Sequence, residues 1–204
     1  MLRRYVEGAG VAARFGIIED IKFLTPTNLL CADSTNGCIR LIDIASNASE
    51  TRRFAGECLS FEQTDGHRLQ TARFRLPTHI EVDETNDVLF VLDIYTRVCN
   101  INNDIVTTMT QIYNHFAMLL SDDVLYFTWK KINTFDIKTG HKGDIGIPSG
   151  RTTGPFELTG FNNPRGMAQM LGESQSILVA DVGNDRLLHY CYYTVFTLLL
   201  HFFH

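Results

Sequence analysis

The sequence predicts an all-β protein, a partial and incomplete β-propeller of about four small sheets. Three observations predict this fold. Short apolar runs that end in aspartate recur along the 204 residues, a phenylalanine precedes each of these aspartates at a nearly constant distance, and helical periodicity is almost absent. Short apolar runs between turn-forming residues are typical of buried strands. A small sheet of this kind cannot bury both of its faces alone, so each sheet is expected to pack against its neighbours.

The first observation is the strand that ends in aspartate. It occurs three times and ends at Asp33, Asp93 and Asp181. Asn36 follows the first of these aspartates and Asn184 follows the third, each three residues later. Asp and Asn side chains at a strand end commonly bond the backbone of the turn that follows. These residues therefore predict a similar turn in each repeat.

The second observation is the upstream phenylalanine. Phe15, Phe74 and Phe161 precede the three aspartates by 18, 19 and 20 residues. Arg14 and Arg73 stand directly before the first two phenylalanines, and we expect each arginine to pair with a neighbouring carboxylate. Such a regular offset indicates an internal repeat.

A weaker copy of the repeat lies between the second and the third. Residues 124–127 repeat the apolar pattern, but no Ala-Arg-Phe sequence precedes them, and Trp129 stands where the aspartate would stand. Gly, Asn and Asp punctuate the turns throughout. The chain is therefore divided into four blades and an apolar tail, at residues 5–57, 58–110, 111–146, 147–190 and 191–204.

The order of these residues resembles the NHL repeat. The resemblance rests on Gly-x-Gly, Ala-Arg-Phe, a proline, an apolar strand ending in Ala-Asp, and then Asn and Arg before Ile or Leu. Residues 8–43 and 161–187 match best, 65–102 match well and 116–139 match poorly. The resemblance implies a ring of about six blades, so we expect a longer, six-bladed parent. A faint similarity of residues 125–129 to the YWTD propellers of receptor ectodomains is the weaker alternative.

The recurring aspartates are also the weak candidates for a metal site. Carboxylates gathered near a propeller axis could hold Ca²⁺, which takes several oxygen ligands. A residue that stabilises a turn recurs in every blade, however, whereas the residues of a ligand site usually differ between blades. We therefore favour a structural role for Asp33, Asp93 and Asp181. No cofactor is assigned, because neither Ca²⁺ nor Zn²⁺ has support in the sequence.

No catalytic residue is assigned either. The resemblance includes propeller lyases that act on amidated-peptide precursors through a metal and histidines from several blades. The chain has seven histidines, but their spacing singles out no set, and His79 lies in a strand-like run where it is expected to pack or to face solvent. Serine-nucleophile, Walker-type and dinucleotide-binding motifs are absent from the sequence.

The favoured function is a non-enzymatic module that presents propeller loops to a protein partner. A metal-assisted enzyme of the lyase or hydrolase type is the first alternative, and RNA binding, as in tripartite-motif NHL proteins, is the second. The formal net charge of −5 and the pI near 5.8 count against nucleic acid. A basic patch is the usual sign of a nucleic-acid partner.

The five cysteines leave the cellular compartment open. They form neither a Cys-x-x-Cys pair nor a zinc-type Cys/His spacing. Cys31 is expected to be a small buried side chain, whereas Cys58 and Cys99 lie at positions that are compatible with a disulfide. The start of the chain lacks the apolar segment of a signal peptide. A sequon at Asn47 would suit an extracellular parent.

The tail at 191–204 differs from the rest of the chain. From Leu188 onward it contains no Asp, Glu, Lys or Arg. It falls short of the roughly 20 apolar residues that a membrane-spanning helix needs. An aberrant terminal exon is favoured, an extra blade strand is second and a membrane anchor is third. A membrane partner is therefore expected only if the tail is genuine.

Overall fold

The chain forms two compact units, Met1–Tyr113 and Asn114–His204. The structure is a computed structural model that describes residues 5–45, 49–110, 116–148, 150, 159–170, 176–191 and 194–198. Each unit contains two sheets of the propeller-blade type, and none of the described residues forms an α-helix. The predicted all-β propeller class, with four blades, is confirmed. Within the described part of the chain, no helix is long and apolar enough to cross a membrane.

The first sheet of the first unit runs in chain order from β2 to β5, and the short strand β1 adds to the edge at β5. All of its neighbouring strands are antiparallel. The two central strands are nearly continuous apolar runs, as expected for strands buried on both faces. The strands are β1 (Gly8–Ala9), β2 (Ile18–Thr25), β3 (Asn28–Asp33), β4 (Cys38–Asp43) and β5 (Glu50–Ala55).

The second sheet repeats this topology. It runs from its first long strand to its fourth, and a two-residue strand from the preceding segment again adds to the far edge. The strands are β6 (Gly66–His67), β7 (His79–Asp83), β8 (Val88–Leu92), β9 (Thr96–Asn100) and β10 (Ile105–Thr110).

Short polar side chains hold the turns at one end of these two sheets. The Asp83 carboxylate accepts hydrogen bonds from the backbone N–H of Thr85 at 3.0 Å and of Asn86 at 3.1 Å. Thr25 Oγ1 accepts from the backbone N–H of Asn28 at 3.1 Å. Such local bonds favour a turn over a continued strand. The turn after β2 and the turn after β7 lie at the same end of the unit.

The core of the first unit lies between its two sheets. One face of the first sheet packs against one face of the second, and aliphatic side chains supply most of the contact. Fully burying a side chain of this size contributes about 1.5–3 kcal/mol. The fully buried members include Leu30, Ile39, Ile80, Leu89 and Val91.

The second unit holds the third and fourth sheets, each of four antiparallel strands in chain order. A two-stranded parallel ladder, β15 (Ile147–Pro148) with β16 (Gly160–Phe161), lies between them in the sequence. The third sheet comprises β11 (Ala117–Ser121), β12 (Val124–Thr128), β13 (Ile132–Asp136) and β14 (Lys142–Ile145). The fourth sheet comprises β17 (Pro164–Gln169), β18 (Ser176–Asp181), β19 (Arg186–Cys191) and β20 (Thr194–Leu198).

The last strand of the fourth sheet falls within the apolar tail. β20 pairs with β19 along its whole length, from Leu187↔Leu198 to Cys191↔Thr194. In the structure this part of the tail therefore supplies the fourth strand of a blade. Residues 192, 193 and 199–204 of the tail, and the sequon at 47, lie outside the described residues.

Candidate functional site

Asp33 closes the turn after β3. One carboxylate oxygen accepts the backbone N–H of Gly16 at 2.9 Å, and the other accepts Asn36 Nδ2 at 2.9 Å. Arg40 Nη1 lies 3.4 Å from that second oxygen, and both side chains of this ion pair are fully buried. The carboxylate thus ties the turn to the segment that directly follows Phe15.

Asp181 makes the same set of contacts in the fourth sheet. It accepts the backbone N–H of Asn162 at 2.7 Å, Asn184 Nδ2 at 2.8 Å and Arg186 Nε at 2.8 Å. The backbone donor again directly follows the repeat phenylalanine, here Phe161. The hydrogen-bond geometry of the turn is thus repeated in the two sheets whose sequence patterns agree.

Asp93 makes a looser version of these contacts. Its carboxylate accepts the backbone N–H of Tyr95 at 2.8 Å and of Arg75, the residue after Phe74, at 3.4 Å. Arg97 Nη1 lies 3.8 Å away. The carboxylate oxygens of the three recurring aspartates are therefore engaged by protein donors. Among the described residues, no group of three or more His, Cys, Asp or Glu side chains could hold a metal ion.

Two of the repeat phenylalanines pack on the glycine that ends the preceding sheet. A Cβ on Gly56 would lie 2.4 Å from Phe74 Cδ2, and a Cβ on Gly146 would lie 2.4 Å from Phe161 Cε2. Both glycines also have a positive φ, of 79° and 75°. Phe15 instead lies under the Arg40 guanidinium, whose carbon is 4.6 Å from the ring centre. Phe74 and Phe161 thus pack at the contact between sequential sheets.

The two arginines at the repeat openings differ. Arg73 pairs with Glu57, as expected, and also donates to backbone carbonyls. Arg14 donates instead to the backbone carbonyls of Val11 and Ala13. These contacts indicate a structural role for both arginines.

A cleft of about 450 Å³ lies in the first unit between the turns after β2 and β7. Apolar side chains line it, and the exposed acids Glu84 and Asp87 form its rim. Asp83 is committed to its own turn, and Asp87 accepts Asn102 Nδ2 at 3.2 Å. Glu84 is exposed and has no hydrogen-bond partner among the described residues. The lining residues that the argument uses are Phe23, Leu24, Val82, Glu84, Asp87 and Ile101.

A partly buried ion pair lies next to this cleft, where β2 and β7 are neighbours. Lys22 Nζ is 2.9 Å from Glu81 Oε1. Burial raises the pKa of the Glu81 carboxyl to about 7, against the opposing effect of Lys22. Asp20 accepts the backbone N–H of Ile80 at 3.0 Å. His79 is half-buried, and burial lowers the pKa of its imidazole.

One face of β2 is open, although the equivalent face of β7 is covered. Ile21 pairs with Cys31, two residues before Asp33, and Ile80 pairs with Val91, two residues before Asp93. Ile21 is therefore the register equivalent of Ile80. Ile80 is fully buried against the first sheet, whereas Ile21 is 56% exposed. Phe23, the equivalent of Val82, is likewise 56% exposed.

The second unit has a smaller pocket of about 280 Å³ beside Trp129. Phe116, Phe161, Asn162, Asn163 and Lys130 complete its lining. It lies at the turn after β12, where the third sheet departs from the repeat.

A disulfide that the sequence did not predict joins Cys38 and Cys58, whose Cα atoms are 5.0 Å apart. Cys31 is a buried free thiol, as expected, and Cys99 is a second one. Cys38 begins β4 and Cys58 lies in the connection between the sheets. Only the folded hairpin brings these two positions together, and sequence spacing carried no signal for it.

No family model matches the sequence, and neither does any curated protein. A structural-genomics protein of unknown function from Bacteroides thetaiotaomicron is 15% identical, with 92% of this chain and 58% of that chain covered and a TM-score of 0.48. PorZ of Porphyromonas gingivalis, an essential bacterial surface component of the type-IX secretion system, is 12% identical, with 93% of this chain and 23% of PorZ covered and a TM-score of 0.52.

The likeness to PorZ supports the propeller fold and carries nothing further at this identity. The chain spans 58% and 23% of the two solved chains. The specific resemblance to NHL repeats stays a prediction.

Proposed function

We propose that the chain is a non-enzymatic, NHL-type propeller module that binds a protein partner in the cleft of the first unit. The single observation that carries this proposal is that apolar side chains and the exposed acid Glu84 line one cleft at the ends of two neighbouring sheets. Loops held on a rigid sheet scaffold commonly supply binding surfaces. Glu84 has no hydrogen-bond partner among the described residues, so its carboxylate is available to a ligand.

The chemistry of the cleft defines the partner. Val82, Leu24 and Ile101 offer apolar surface, while Glu84 and Asp87 add negative charge at the opening. The complementary segment is an extended peptide with apolar side chains and an adjacent Lys or Arg. The overall charge of −5 favours the approach of such a segment.

The experiment uses a fluorescein-labelled peptide, acetyl-Val-Arg-Leu-Lys-Phe-amide, and its charge-reversed counterpart acetyl-Val-Glu-Leu-Glu-Phe-amide. Fluorescence anisotropy is expected to show binding of the basic peptide only, and this binding should weaken when the salt concentration rises.

The double variant Glu84→Gln, Asp87→Asn tests the rim. Removing two partly solvated charges at roughly 0.2–1 kcal/mol each should weaken binding roughly two- to thirtyfold. Glu62→Gln, which removes one charge at an exposed acid outside the cleft, should leave the affinity unchanged. Equal binding of both peptides, or an equal effect of Glu62→Gln, would overturn the proposal.

We further propose that the four sheets belong to a ring of about six blades. The exposure of Ile21 and Phe23 supports this, because their equivalents Ile80 and Val82 pack against another sheet. Maleimide labelling of an Ile21→Cys variant tests it. The cysteine should react quickly in the 204-residue chain and be protected in a longer natural form. Equally rapid labelling in that longer form would contradict the larger ring.

A further inference from the structure

The pocket beside Trp129 lies where one sheet departs from the repeated turn. The backbone N–H of Trp129 donates to the Lys131 carbonyl at 3.0 Å, and that of Asp93 donates to the Tyr95 carbonyl at 3.0 Å. Trp129 therefore occupies the position of the recurring aspartate in a turn of the same geometry. The aspartate holds its turn internally, whereas the indole ring is 37% exposed and lines a pocket.

Aromatic rings form much of the wall of this pocket. Phe116 and the edge of the buried Phe161 accompany Trp129 around a space of about 280 Å³. That volume is near the lower limit for small-molecule sites, so it suits one ring of a ligand and little more.

Two cations border the aromatic rings. Lys130 Nζ lies 4.9 Å from the centre of the Trp129 ring, and the Arg165 guanidinium carbon lies 4.1 Å from the centre of the Phe116 ring. No acidic side chain is among the described residues that line the pocket. The charged side chain among the described lining residues is therefore a cation, although the chain as a whole is acidic.

One amide at the pocket is available to a ligand. The Asn162 side chain is already committed, because its Nδ2 donates to the Gly183 carbonyl at 2.8 Å. Asn163 has a positive φ of 57°, and its side chain has no hydrogen-bond partner among the described residues. Its amide can both donate and accept.

We propose that this pocket binds a single sugar ring that carries a carboxylate, such as a uronic acid. The C–H groups of a pyranose face carry partial positive charge and pack on the electron-rich face of an indole ring. Lys130 would pair with the carboxylate. Hydroxyl groups donate and accept in the same way as the free Asn163 amide.

These features favour a sugar over two other anionic ligands. An acidic peptide could use the cations and bond the Asn163 amide through its backbone, but it needs more room than a pocket that suits one ring and little more. A nucleotide would need more positive charge than one free lysine and one arginine supply. Both ligands are therefore outcomes that the test must distinguish.

The test exploits the fact that Trp129 is the one tryptophan of the chain. Intrinsic fluorescence is followed while D-glucuronic acid, D-glucose, adenosine monophosphate or an acetylated Asp-Phe-Asp peptide is added. Glucuronic acid should shift the emission with a dissociation constant on the order of 1 mM, from the usual affinity per non-hydrogen atom. Glucose should bind at least fivefold more weakly, because it lacks the carboxylate.

Three variants connect this signal to named side chains. Lys130→Gln should remove the preference for glucuronic acid over glucose, and Asn163→Gly, which tolerates the positive φ, should weaken both sugars. Lys131→Gln is the matched control, because Lys131 pairs with Asp144 and does not line the pocket. Trp129→Asp, which restores the repeat residue, should abolish binding when heat is measured instead of fluorescence.

Several results would overturn the assignment. Tighter binding of the peptide or the nucleotide would change the ligand class. Equal binding of glucose and glucuronic acid would show that Lys130 does not pair with the carboxylate. A response of the Lys131→Gln protein like that of Lys130→Gln would show that charge alone produces the signal.

Discussion

Strands β2 and β7 hold the same position in two successive sheets and have opposite surroundings. Ile80 on β7 is fully buried against the first sheet, and Ile21, at the equivalent register on β2, is 56% exposed. Both residues are isoleucines in strands that pair with an apolar partner strand. The difference shows that blade sequences encode a face for packing, and the neighbouring sheet decides whether that face is covered.

The largest expected effect comes from the same substitution made on the two strands. Ile80→Ala should lower the free energy of unfolding by about 2–5 kcal/mol, because it leaves a cavity between two sheets. Ile21→Ala should cost less than about 0.5 kcal/mol, as an exposed site does. Urea denaturation followed by circular dichroism measures both. Equal losses would mean that the face of β2 is covered in solution.

The next effect depends on pH and concerns the ion pair that links the two strands. Burial raises the pKa of Glu81 to about 7 from its ordinary 4.5. Between these values the folded protein binds a proton that the unfolded chain has lost. The contribution of Glu81 to the free energy of unfolding should therefore fall as the pH rises from 4.5 to 7, by about 3 kcal/mol at 1.36 kcal/mol per pKa unit.

Glu81→Gln isolates this contribution, because glutamine does not titrate while Asp20, Lys22 and His79 remain beside it. The difference between the variant and the parent should change through this pH range and stay constant above it. His79, with its lowered pKa, acts in the opposite direction in both proteins and cancels in the difference. A flat difference from pH 4.5 to 8 would contradict the raised pKa.

A smaller effect on the free energy of unfolding is expected where Gly56 packs against Phe74, at the contact between the first and second sheets. Gly56→Ala places a Cβ 2.4 Å from Phe74 at a φ of 79°, and should cost about 2 kcal/mol or more. Gly140→Ala is the matched control, because its φ of 73° is similar and nothing lies within 4 Å of the added Cβ. It should cost only about 1 kcal/mol. Thermal denaturation of the two variants separates steric overlap from backbone strain.

The smallest effect compares the arginines at the two repeat openings. Arg73→Gln breaks a partly exposed pair with Glu57 and should cost up to about 1 kcal/mol at low salt. Arg14→Gln removes only local bonds to backbone carbonyls and should cost less. High salt should reduce the difference between the variants. A difference that persists in 1 M salt would show that Arg73 acts through packing.

The turns were the most predictable part of the molecule. Asp33 and Asn36 bond within one short turn, and a contact between near neighbours leaves a readable sequence pattern. Trp129 could likewise be aligned with the aspartate position, because the turn around it keeps the same backbone hydrogen bond.

The candidate sites were less predictable, since they depend on contacts between remote segments. The cleft combines turns from two sheets that lie some 60 residues apart in sequence, and nothing in residues 23–26 alone indicates Val82 or Ile101 as neighbours. The exposure of Ile21 could not be predicted from the sequence for the same reason. Sequence identifies an apolar strand but not the sheet that does or does not cover it.

The disulfide between Cys38 and Cys58 has a consequence for how the chain would mature. Burial raises the pKa of the Cys31 and Cys99 thiols to about 12, so neither supplies a thiolate for exchange once the sheets have closed. Premature oxidation could still trap either cysteine in a wrong bridge while the chain is unfolded. If the sheets close before oxidation, the Cys38–Cys58 disulfide is therefore the one that forms. Thiol–disulfide exchange with Cys31 or Cys99 is then prevented in the first unit.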